Sequence, residues 1–206
     1  MVALLGKIRK QMNGAVLDTF RYYGAKYGLN YGVAIHSIRD MASECGTDHS
    51  LALHLYRQQV RELQIIALWV ADPAAVTDEE LTFWRDGIIN SELAEQAAQA
   101  LLCRVSQIDT LLMQWTASDN ELAAYAALLA ATRSSSASDN SIRTAISQAV
   151  AQFADNHLVA LGVTNLLASR IATNRNLVES VLDALPENKT AASIRDEVSW
   201  QLDILP

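Results

Sequence analysis

The stretch TDEELTFWRDGIINSELAEQAAQALL, residues 77–102, contains two helix starts in close succession. Thr77-Asp78-Glu79-Glu80 matches the capping box, in which the Thr hydroxyl and the later Glu each satisfy an orphan backbone N–H. Asn90-Ser91 is a second start. Behind it Ala94, Ala97, Ala98, Leu101 and Leu102 form the apolar face of a helix over 91–104. Two amphipathic helices joined by a short break must pack antiparallel, so the stretch reads as one helix pair.

Working outward, the same grammar repeats. Ser118-Asp119-Asn120-Glu121 is a second capping box, and weaker starts stand at Asp48, Ser106, Ser138-Asp139, Asp155-Asn156, Thr173-Asn174 and Thr190. Every second start (Asp48, Thr77, Ser106, Ser138, Thr173) gives steps of 29, 29, 32 and 35 residues. Two helices per unit at that period are the signature of an α-solenoid. The Ser-rich break 133–141 reads as a loop between repeats, and no strand pattern appears. The expected fold is an all-α superhelix of HEAT-like helix pairs, one domain over residues 1–206.

Half of the 206 residues are hydrophobic and only 6% aromatic, a composition that favours helices. No run approaches the roughly 18 apolar residues of a membrane span. The start MVALLGKIRK carries its charges after a short apolar run, unlike a secretory signal, so a cytoplasmic location is expected. Cys45 and Cys103 form no CxxC, and His49 and His54 lie five apart, about 140° from each other on a helix. Neither a metal site nor a cofactor is expected. GxGxxG and GxSxG are absent, which excludes enzymes built on those motifs.

The net charge of −7 is unevenly spread. Residues 1–39 hold Lys7, Arg9, Lys10, Arg21, Lys26 and Arg39 against Asp18 alone, while residues 40–206 carry ten basic and twenty-two acidic side chains. An acidic chain is a poor generic nucleic-acid binder, yet a basic N-terminal end can make a local phosphate contact. That end includes RYYGAKYGLNYGV, residues 21–33, where Gly24, Gly28 and Gly32 each follow a Tyr. The glycines oppose a helix, so one reading is a joint between helix 11–23 and helix 35–45. The other is a DNA-facing edge in which Tyr27, Tyr31, Lys26 and Arg21 meet phosphates. Arg61-Glu62 and Arg39 read as members of inter-helix ion pairs, and Trp69, Trp84, Trp115 and Trp200 as core or end-cap residues.

In order, YGVAIHSIRDMA (31–42), DHSLALHLY (48–56), VRELQIIALWVADPAAVT (60–77) and FWRDGIINSELAEQ (83–96) resemble the DNA alkylation repair family of HEAT-like repeat proteins, the AlkD-like glycosylases. The resemblance is clearest over residues 22–105. It implies a superhelix whose concave face holds duplex DNA and hydrolytic release of N3- or N7-alkylated purines without metal or cofactor. It also implies a Trp and, one helical turn later, an Asp near the start of one helix. Here those positions fall on Ser91 and Glu95. Glu95 remains a competent carboxylate with a reach longer by one methylene, whereas Ser91 offers no ring to stack. Tyr125 stands near the place of the family's cleft Arg.

The resemblance thus implies Glu95 as the catalytic carboxylate and Arg21, Lys26, Tyr27, Tyr31, Arg39, Ser91 and Tyr125 as DNA-binding residues. The expected function is binding of duplex DNA on the concave face, with weak or absent alkylpurine glycosylase activity. The alternative, favoured by the acidic balance, is a non-catalytic scaffold for a protein partner.

Overall fold

The computed structural model describes residues 1–22 and 27–204. Among them lie thirteen α-helices and no strand ladder, the only β-pairing being an isolated parallel bridge between Leu29 and Val60. The helices gather into two compact units, Met1–Leu101 and Leu102–Pro206. None is long and apolar enough to cross a membrane.

The first unit holds α1 (Val2–Lys10), α2 (Gly14–Tyr22), α3 (Ile35–Cys45), α4 (His49–Tyr56), α5 (Arg61–Val70), α6 (Asp78–Asp86) and α7 (Ser91–Ala100). Helices α3, α5 and α7 lie side by side, with α4 packed on α5. The second unit holds α8 (Ile108–Thr116), α9 (Glu121–Arg133), α10 (Asp139–Gln152), α11 (His157–Arg170), α12 (Arg175–Ala184) and α13 (Lys189–Ile204). There α9, α11 and α13 make one row and α8, α10 and α12 the other. The pairs α4/α5, α6/α7, α8/α9, α10/α11 and α12/α13 are the repeat units that the spacing of helix starts predicts.

Most of the expected caps form. Asp48, Asn90, Ser138, Asn156 and Asn174 each accept a backbone N–H of the first turn, and Thr77 and Glu80 make the reciprocal capping box. Three starts are corrected. Asn120, not Ser118, caps α9, because the Ser118 hydroxyl is drawn back to the Trp115 carbonyl at 2.7 Å. Helix α8 begins after Gln107 rather than Ser106. Ahead of α13, Asn188 accepts from the Ala191 N–H. Thr190 instead joins α13 to the start of α11, accepting from the Asn156 N–H at 2.9 Å and donating to the Phe153 carbonyl at 2.5 Å.

Trp84 and Trp115 are fully buried, and Tyr56 packs on Trp84 with its hydroxyl donating to the Trp84 carbonyl at 2.9 Å. Gly87 closes that cluster: a Cβ there would stand 2.1 Å from the Tyr56 ring. Trp200 departs from expectation and is 61% exposed. Helix α13 buries Ala191, Ile194, Val198 and Leu202, and Trp200 lies two residues beyond Val198, about 200° around the helix.

Candidate nucleic-acid interface

Helix α7 is the natural centre of a site, because its two faces differ in kind. Leu93, Ala94, Ala97, Ala98 and Ala100 are buried. Ser91, Glu95, Gln99, Glu92 and Gln96 span the remaining arc of about 140° in that order around the axis. Asn90 opens the helix by accepting the Leu93 N–H at 2.9 Å. Glu95 is exposed and Ser91 is half-buried beside it.

Helices α3 and α5 bring a cation and a ring to the same arc. The Arg39 guanidinium lies 5.0 Å over the Trp69 ring and donates from Nη2 to Gln99 at 3.0 Å and Gln96 at 3.5 Å. Trp69 Nε1 also points at the Gln96 oxygen, 3.5 Å away. No carboxylate pairs with Arg39 among the described residues, and its Nε is enclosed without a partner. Among the described residues the guanidinium is therefore positioned by neutral groups.

At the start of α7 the electrostatics are the reverse. Arg61 is 2% exposed and meets Glu92 through two hydrogen bonds, while its Nη1 reaches the Val33 carbonyl at 2.8 Å and Glu62 at 3.2 Å. Burial works against the charged guanidinium, but the hydrogen bond and charge of Glu92, then the charge of Glu62, outweigh it and raise its pKa. The Phe20 ring covers the outer side, 4.5 Å from the guanidinium carbon. Glu62, with no exposed surface, accepts the Tyr31 and Val33 N–H groups. The Tyr27 hydroxyl donates to Glu92, with the Asn90 side-chain oxygen 3.2 Å away. Burial first, then the charge of Glu92, pushes that phenol well above its ordinary range.

Residues 27–33 of the Tyr-Gly segment are thus fastened to α5 and α7. Gly32 adopts φ +69°, and a Cβ there would stand 2.3 Å from the Asn13 carbonyl at the entry to α2. Such a position admits glycine alone. Gly28 also lies against the Gln59 carbonyl, which would stand 2.7 Å from a Cβ.

Of the residues singled out from the sequence, Glu95, Ser91 and Arg39 gather along α7. Tyr27 reaches its N-terminal end but spends its hydroxyl on Glu92 and Asn90, and Tyr31 is half-buried. Lys26 and the Arg21 side chain lie outside the described residues. Tyr125 is corrected: it is 2% exposed, its ring within 3.2 Å of where a Gly162 Cβ would stand, and it has no surface for a ligand. The small residues of α9 and Gly162 let α9 and α11 close over it. Sequence reading assigns no partner to Glu92 and overlooks Gln96 and Gln99. The charged pair Arg61-Glu62 opening the apolar run LQIIALWV signals that both charges need partners, though not which ones.

Among the described residues no cluster of His, Cys, Asp and Glu is placed to hold a metal ion. A family model described as DNA alkylation repair enzyme matches residues 6–198. The chain belongs to the DNA alkylation repair enzyme family. A solved structure described as "A new family of proteins related to the HEAT-like repeat DNA glycosylases with affinity for branched DNA structures" superposes with a TM-score of 0.73 at 17% identity, covering 96% of this chain and 93% of that one. At that identity the likeness establishes a shared HEAT-like helical-repeat fold. No curated protein matches significantly. Within a DNA alkylation repair fold, the polar arc of α7 carries the exposed Glu95, and at Gln96 and Gln99 it meets the Arg39 guanidinium stacked on Trp69.

Proposed function

We propose that this member of the DNA alkylation repair family binds DNA along α7 and the adjoining parts of α3 and α5, on the concave side of its helical repeat, with weak or absent release of alkylated purines. The observation that carries this reading is Arg39, a guanidinium stacked on Trp69 and hydrogen-bonded to Gln96 and Gln99 on the helix that carries the exposed Glu95, with no carboxylate paired to it among the described residues. A positioned cation that no described carboxylate pairs with suits a phosphate. A carboxylate one helical turn beyond Ser91 suits the stabilisation of positive charge developing on a sugar during glycosidic cleavage. The weakness of the chemistry follows from Ser91, which leaves the carboxylate without an aromatic wall.

Two assays test the reading together: retention of a labelled duplex in a native gel and release of N7- and N3-methylpurines from methylated duplex. Arg39→Ala is expected to weaken duplex binding about tenfold, the scale of one charge-assisted phosphate contact. Any base release is expected to vanish in Glu95→Gln at an unchanged melting temperature. Release that persists in Glu95→Gln removes Glu95 from the chemistry. A folded wild type that retains no DNA leaves the second reading, a protein-binding scaffold, which the −12 balance over residues 40–206 favours.

A further inference from the structure

Away from the polar arc of α7, the first unit contains a cavity of about 420 Å³, within the range of small-molecule sites. Its wall is built from the turns where α4 meets α5 and α6 meets α7, together with Gly28. Those turns are held tightly. Leu29 donates to the Gln59 carbonyl at 3.0 Å and Arg61 N–H to the Leu29 carbonyl at 2.8 Å, and Gln59 itself sits at φ +52°, a conformation rare outside glycine. Gly28 admits no side chain against Gln59.

Four side chains set the chemistry. Phe83 offers a ring, and Ile89, 44% exposed, adds apolar surface. Arg57 lies over Phe83 with its guanidinium carbon 4.9 Å from the ring centre, and no carboxylate pairs with it among the described residues. Asp86, also at the wall, is occupied by Arg85 at 3.0 and 3.1 Å. Gln64, only 3% exposed, is one of the lining residues, and its enclosed amide oxygen has no hydrogen-bond partner. An enclosed amide oxygen without a donor is unfavourable, and a ligand N–H would remove the penalty after rotation of the terminal amide. A ring for stacking, an amide for a polar edge and an unpaired cation for an anion together describe a nucleotide.

We propose that this cavity takes one unstacked nucleotide, its base against Phe83 and Ile89, its edge on the Gln64 amide and its phosphate on Arg57. The nucleotide's source is either an unpaired position in a DNA strand or a free mononucleotide. The DNA source rests on the DNA-binding reading above. Ile89 immediately precedes Asn90, the cap of α7, so the cavity wall adjoins the N-terminal end of that helix.

The test uses the whole chain and a duplex carrying 2-aminopurine in a single-nucleotide bulge, with the same duplex fully paired as reference. The expected result is a change in 2-aminopurine fluorescence on binding the bulge and tighter binding of the bulged duplex. In Arg57→Ala and Gln64→Leu, with melting temperatures checked, that preference is expected to fall about tenfold while affinity for the paired duplex stays unchanged. Equal losses on both duplexes would make Arg57 a plain phosphate contact and overturn the cavity's role, as would an unchanged preference. If the chain retains neither duplex, the DNA-binding reading fails separately, and equilibrium dialysis with AMP decides the cavity alone. Binding lost in both variants supports a free-nucleotide site, and no binding overturns it.

Discussion

Arg61 and Glu92 face each other across α5 and α7 through two hydrogen bonds, Nε to Oε2 at 2.8 Å and Nη2 to Oε1 at 2.6 Å. The pair sits under Phe20 of α2 and carries the Tyr27 hydroxyl on the same carboxylate, so it joins four segments of the chain. Removing one partner of a buried ion pair strands the other. Glu92→Ala is therefore expected to lower unfolding free energy by about 3 kcal/mol, read by urea denaturation. A loss below about 1 kcal/mol would mean that Glu62 alone suffices for Arg61.

Glu62 reaches two backbone amides that no regular element satisfies. In Glu62→Gln only one acceptor oxygen remains for Tyr31, Val33 and Arg61. Hydrogen exchange at the Tyr31 and Val33 amides is expected to quicken while amides within α9 and α11 keep their protection. Uniform quickening over both units would show a global loss of stability instead.

Two buried phenols predict an alkaline limit. Burial raises the pKa of Tyr56, and burial with the charge of Glu92 raises that of Tyr27. The unfolded chain then releases these protons first, near pH 10, so the stability they contribute is complete below about pH 10 and falls above it. Each group steepens the fall by up to about 1.4 kcal/mol per pH unit. In Tyr56→Phe the decline above pH 10, followed by urea midpoints, is expected to be shallower than in the wild type even though the variant starts from a lower stability.

Gly87→Ala places a methyl group 2.1 Å from the Tyr56 ring, which is itself wedged between Phe83 and Trp84. The expected cost is about 2 kcal/mol or more. Combined with Tyr56→Leu the loss should be clearly less than the sum of the two, since the clash is then absent. Additive losses in thermal or urea unfolding would show that the ring moves aside freely.

Thr190→Val keeps the shape and deletes both the acceptor for Asn156 N–H and the donor to the Phe153 carbonyl. Leaving those buried backbone groups unpaired costs about 1–3 kcal/mol. The melting temperature reports the loss, and Thr190→Ser, which retains both bonds, is expected to recover most of it.

Helix periodicity and capping chemistry account for what was legible beforehand. Asp48, Thr77, Asn90, Ser138, Asn156 and Asn174 mark real helix starts because a short polar side chain before an apolar-periodic run has one favourable use, to satisfy the first-turn N–H groups. Ser118 misled because two residues later Asn120 competes for the same turn. The site was legible only in outline. Glu95 on the open side of α7 follows from one helix's periodicity, whereas Tyr125 disappears into the α9–α11 contact, a fact that depends on Gly162 some thirty-seven positions away. Long-range partnerships such as Tyr27 with Glu92 and Arg39 with Gln99 leave no local trace, since each residue alone looks like an ordinary surface group.

The carboxylates of Glu62 and Glu92 also set a timetable for a growing chain. The segment around Tyr27, Tyr31 and Val33 is made early, yet its hydrogen-bond acceptors lie 29 to 65 residues further on. On the ribosome these groups have water as their partner until α5 has emerged with the acceptor for the amides and then α7 with the acceptor for the Tyr27 phenol. The end of the chain synthesised first is thus among the last parts of its unit to settle.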